Sequence, residues 1–155
     1  MKKHFIIILT FSLALVISSC SDDRCHLDTE TLLNAKMSIE DPDTPKNFVD
    51  SLSVYSPEWT DSIHYKTDGT GKSLLLMLSP NTDTTAFIFT SNLVDNSDTI
   101  TFFYQRDFVL LSAECGFVVH FEIDSIANTW NYIDSLKLVK NQITTNEQGH
   151  IQIYF

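Results

Sequence analysis

The chain is poor in positive charge, in long apolar runs and in the short spacings that metal and nucleotide sites require. It carries 10 Lys+Arg against 20 Asp+Glu, a formal net charge of −10 at pH 7. A surface of that sign repels phosphate backbones, so no nucleic acid is expected among its partners. Beyond a largely apolar stretch at residues 5–17, the longest apolar run is 74–78. Neither reaches the roughly 20 residues that a membrane-spanning helix needs.

Catalytic and metal signatures are missing as well. There is no HExxH, and no His lies two or four residues from another. Neither Cys25 nor Cys115 has a second Cys or His at ligand spacing. His120 sits between Val119 and Phe121 on a strand, on the face opposite Phe117, Val119 and Phe121, and reads as a solvent-facing or structural histidine. Asp41, Asp43, Asp83, Asp95 and Asp98 follow no calcium-loop spacing. Gly69-Thr70-Gly71-Lys72-Ser73 looks like the end of a phosphate loop, but Lys66 stands where its first glycine belongs and a strand follows instead of a helix. A hairpin turn accounts for it better. No GxSxG elbow is present. Glu58, Glu114 and Glu122 are the carboxylates from which a glycoside-type hydrolase would draw its pair. No metal, no cofactor and no enzymatic activity are expected.

What is present begins at the N-terminus. Lys2 and Lys3, the apolar stretch and Ser18-Ser19-Cys20 have the layout of a secretory signal over residues 1–19. Ile17-Ser18-Ser19-Cys20 looks like a bacterial lipobox, which makes Cys20 the acylated first residue of the mature chain. Residues 20–30 are polar and charged, a tether, and 31–155 have the size of one domain. Loss of Lys2 and Lys3 takes the net charge to −12. With Cys20 assigned to lipid, Cys25 and Cys115 remain as an even pair in an exported protein, and a disulfide is the natural reading. Two separate thiols are the alternative.

The domain reads as β throughout. Leu33, Ala35, Met37 and Ile39 alternate with polar residues, and Leu52 and Val54 share a face. A weak strand is expected at 63–65. Residues 73–78 are continuously apolar, which suits a strand buried on both faces. Residues 84–90, 99–105 and 117–123 are β-branched and aromatic. Residues 134–139 and 150–155 complete about eight to nine strands, an antiparallel β-sandwich or small barrel. Ile126, Trp130 and Ile133 allow at most one short helical turn.

Several of these features together are similar to a family of uncharacterised single-domain lipoproteins of the phylum Bacteroidota. They are Cys20, Cys25, the run Leu74-Leu-Met-Leu-Ser-Pro80-Asn-Thr-Asp-Thr84, Tyr104, Cys115-Gly116-Phe117 and Ile151-Gln-Ile-Tyr-Phe155. The resemblance implies the Cys25–Cys115 pairing and the all-β fold, and supplies no functional residue. Ser21-Asp22-Asp23 looks like that phylum's signal for display at the cell surface, interrupted by Arg24. An ordinary tether facing the periplasm is the other reading. Asp followed by Ser or Thr and then an apolar residue or Thr resembles the same lineage's O-glycosylation acceptor, at Ser51, Ser62, Thr84, Thr99, Ser125 and Ser135. Such triplets also arise where an Asp closes a turn and a strand begins.

The sequence therefore predicts a lipid-anchored outer-membrane or cell-surface protein that binds without catalysis, as an accessory module of a membrane complex. A surface glycan-binding protein is the alternative, with Trp59 and Trp130 as stacking platforms. A hydrolase would instead require two carboxylates or a His–carboxylate pair in a pocket with shifted pKa values.

Overall fold

The computed structural model describes residues 25–39, 52–58, 65–67, 73–91, 93, 95–145 and 149–155. These form ten strands in two five-stranded sheets packed as a sandwich. The first sheet has the order β3 (Tyr65–Thr67), β4 (Ser73–Met77), β1 (Leu32–Ser38), β10 (Gly149–Tyr154), β8 (Ser135–Leu138). The second has the order β2 (Leu52–Tyr55), β5 (Thr84–Ser91), β6 (Ser97–Ser112), β7 (Gly116–Asn128), β9 (Gln142–Ile143). Pairing is antiparallel except between β1 and β10, which run parallel at the centre of the first sheet.

Period-two alternation builds the core. Leu33, Ala35 and Met37 from β1, Phe87 and Phe89 from β5, Ile100, Phe102 and Tyr104 from β6, and Ile151 and Ile153 from β10 are all buried. Phe155 closes the end of the layer at 1% exposure, its N–H donating to Ser38 O at 3.0 Å. The run at 73–78 departs from expectation. Leu74, Leu76 and Leu78 point inward, whereas Leu75 is half-buried and Met77 is 40% exposed. A sandwich sheet has only one neighbour, so continuous hydrophobicity here does not mean burial on both faces.

No helix forms among the described residues. Ile126 belongs to β7, and 129–134 is a loop. The other departure is length. The expected strands at 99–105 and 117–123 extend into β6 and β7, of 16 and 13 residues, joined by the turn Ala113–Cys115. Among the described strands these two are the longest.

Candidate binding site

The hairpin leaves the sandwich at Tyr104. Beyond the Thr84–Phe103 pair β5 has ended, and β9 pairs with β7 only at Phe121 and Glu122. From there to the turn the hairpin is a two-stranded ribbon among the described residues, a form marginally stable by itself. Its root is braced. Arg106 Nε donates to Asp83 Oδ1 at 2.7 Å, and its Nη1 donates to Pro80 O at 2.9 Å. Tyr104 N–H donates to Asp83 O at 3.0 Å. The Tyr104 hydroxyl donates to Ser79 O at 2.9 Å, so the 2.7 Å contact with Thr85 Oγ1 has Thr85 as the donor. Ser79 N–H in turn donates to Thr85 Oγ1 at 2.9 Å. Burial is the main reason the Tyr104 phenol lies above its ordinary pKa.

The far end is pinned covalently. Cys115 is bonded to Cys25 across 90 residues of sequence. The turn needs Gly116, whose φ of +71° lies in the left-handed region that follows a three-residue hairpin loop. Cys115 N–H donates to Ser112 Oγ at 3.0 Å and completes the turn.

Between root and tip the ribbon has two unlike faces, set by its register. Gln105 pairs with Glu122 and Asp107 with His120, so all four side chains share the outer face. With Arg106, Phe121, Gln142, Ile143 and Thr144 they line a groove of about 450 Å³. Glu122 Oε1 accepts from Asn141 Nδ2 at 3.0 Å. His120 Nε2 is buried and makes no hydrogen bond within the protein. On the inner face, Phe108 pairs with Val119 and Leu110 with Phe117. Phe108, Leu110 and Phe117 are 59%, 57% and 70% exposed, because the opposing sheet does not extend over them.

A family of unknown function (DUF6452) matches residues 51–155, which include nine of the ten strands and the whole hairpin. This chain belongs to the DUF6452 family. No curated protein and no solved structure matches it. The matched region includes Cys115 but begins after Cys25 and β1, so the pin joins the DUF6452 region to the chain that precedes it. Within that region the segment holding Ser79, Pro80 and Asp83 meets Tyr104 and Arg106, more than twenty residues on, at the hairpin root.

The loop at the opposite end of β7 is organised by Asp98, which is fully buried. Its Oδ1 accepts from Thr129 Oγ1 at 2.6 Å and Asn131 N at 2.8 Å. Its Oδ2 accepts from Tyr132 N at 2.8 Å and Ile133 N at 2.9 Å. Burial by itself would raise this carboxyl, but the hydrogen bonds outweigh it and hold the pKa below its ordinary value. Trp130 rides on the loop with φ of +57° and 55% exposure. β7 runs eight residues past His120 to Asn128, about 26 Å along the strand, before the loop that carries Trp130 begins, so Trp130 does not share the hairpin groove.

The remaining candidates scatter. Thr84 and Ser135 are the first residues of β5 and β8, as the strand-start reading has it, whereas Thr99 and Ser125 lie inside β6 and β7. Glu114 sits in the hairpin turn and Glu122 in the groove, about 20 Å apart along β7; the structure does not bring them together. Cys20, Ser21, Asp22, Asp23, Ser51, Trp59, Ser62 and the turn at 68–72 lie outside the described residues. Groups of three or more His, Cys, Asp or Glu arranged to hold a metal are absent among the described residues. Sequence reading missed the Asp107–His120 juxtaposition because 106–116 does not read as strand. The two residues are nearly symmetric about the turn, and one continuous hairpin would have paired them.

Proposed function

We propose that this DUF6452 protein is a lipid-anchored, non-catalytic binding module that serves as an accessory component of a membrane complex at the outer membrane or cell surface. One observation carries the reading: the ribbon bearing the Asp107–His120 groove is clamped at its root by Arg106 and pinned at its tip to Cys25, five residues after Cys20. Rigid placement of a polar groove on an otherwise marginal ribbon favours recognition, where pre-organisation lowers the cost of binding. Gln105, Arg106, Asp107, His120 and Glu122 line the groove, a polar set that suits a hydrogen-bonding partner surface.

The test is extraction of the full-length protein from its own membrane in mild detergent, followed by identification of what accompanies it. A stoichiometric protein partner is expected, and Asp107→Ala or His120→Ala should reduce its recovery. Recovery of the protein alone, in wild type and both variants, would overturn the accessory-module reading.

Glycan binding is the second reading, favoured by Trp130. An exposed indole is held in a conformation that costs non-glycine residues free energy. Asn128, two residues earlier, has a buried side-chain amide without a partner. Retention on immobilised polysaccharide that is lost in Trp130→Ala would establish this reading in place of the first.

A further inference from the structure

The inner face of the ribbon is the surface the groove leaves unexplained. Phe108, Leu110 and Phe117 form a contiguous apolar stripe by register, with Val119 half-buried where the stripe meets the core. Leu27, two residues beyond the disulfide, is also exposed. No charged residue interrupts the paired positions Phe108–Val119 and Leu110–Phe117. Exposed large apolar side chains that cluster in this way mark a contact surface.

The length of chain before the disulfide indicates what covers it. Cys25 stands five positions after Cys20, and five extended residue steps span at most about 18 Å. Cys25 is bonded to Cys115, and Phe117 lies two residues further on. An acyl chain on Cys20 therefore holds the stripe close to the bilayer surface. We propose that Phe108, Leu110 and Phe117 seat in the interfacial layer of the membrane that carries the acyl chain of Cys20, with the ribbon lying along the surface.

The proposal rests on the lipid-anchor reading of Cys20. In this orientation Asp107 and His120, on the opposite face of the same ribbon, turn away from the lipid and toward a partner. The protein's acidic surface is no obstacle on a zwitterionic bilayer, and charges beyond about 8 Å are screened at physiological ionic strength.

The experiment uses the full chain, purified from membranes as Phe117→Trp and, separately, as Phe108→Trp. Each is reconstituted into phosphatidylcholine vesicles with plain or brominated acyl chains. Wild type supplies the background from Trp59 and Trp130. Intact mass reports the acyl group on Cys20, and non-reducing peptide mapping reports the disulfide as a check of folding. An acylated, disulfide-bonded variant whose added tryptophan emission falls about two-fold in brominated vesicles supports seating, since interfacial apolar faces sit roughly 5–10 Å into the headgroup and acyl boundary. Acylated protein with unquenched emission at both positions overturns seating and leaves the anchor standing. So does acylated protein whose added tryptophans are shielded by a co-purifying protein, which makes the stripe a protein interface. An intact mass without acyl overturns the anchor, and the seating with it.

Discussion

His150 Nδ1 accepts the backbone N–H of Asn34 at 2.8 Å. The two residues sit where β1 and β10 slip register, between the pairs Asn34–Gly149 and Ala35–Ile151. The imidazole takes the place of the ladder carbonyl that the bulge displaces. An acceptor nitrogen carries no proton, so buried His150 is neutral with its hydrogen on Nε2.

That arrangement makes stability pH-dependent. Burial first, then the charge of Lys140, pushes the His150 pKa down to about 4, against about 6.5 in an unfolded chain. Between these values the unfolded chain binds more protons, so stability falls as pH drops from about 6.5 to about 4. The loss is on the order of 3 kcal/mol. Urea midpoints at pH 7, 5.5 and 4 should fall for the wild type and stay level for His150→Asn. An equal slope in both proteins would remove His150 as the cause.

Asp98 governs a lower window. Its folded pKa lies below the ordinary value, so its contribution is fully present above the unfolded pKa, about 3.9, and is lost as pH falls through the folded value. Asp98→Asn turns a donor toward backbone N–H groups and should cost about 3 kcal/mol at pH 7. It should also flatten the acid limb below pH 4, read by thermal unfolding across pH 2–5.

Tyr104→Phe removes the hydroxyl that joins Ser79 O to Thr85 Oγ1. The expected cost is about 1–3 kcal/mol, since both partners are buried. Thr85→Val should have a similar effect, and the double variant should cost less than the two separately. Additive losses would mean that the three residues do not act as one network.

Cys25→Ser and Cys115→Ser each open a crosslink spanning 90 residues of sequence. The chain-entropy account assigns such a crosslink about 4–5 kcal/mol. Hydrogen exchange at 107–119 should rise more than in the core strands, because the ribbon loses the crosslink at its tip. Unchanged thermal stability would exclude a structural disulfide.

The sequence made the strands legible wherever apolar and polar residues alternate, as in Leu33–Ala35–Met37 and Ile151–Ile153. The cysteine pair followed from parity once Cys20 was set aside. Register stayed hidden, because alternation fixes which face a residue takes but not which residue lies opposite. The groove depends on that register, and so does the role of His150 at a bulge. Phe117 was placed correctly on the face it shares with Phe121, yet one is exposed and the other buried. The difference is where the opposing sheet stops, which no local pattern records. Asp98 looked like any turn aspartate because its donors stand more than thirty residues away.

The parallel pairing of β1 with β10 also governs how the molecule can be made. The first strand of the domain lies between β4 and the last strand, and Ser38 receives a hydrogen bond from the terminal residue Phe155. Contacts so distant along the chain are slow to form. The first sheet cannot close around β1 until the final residues are available. A chain without β10 keeps one edge of β1 open, so the first sheet is completed only once β10 is present and not progressively from β1.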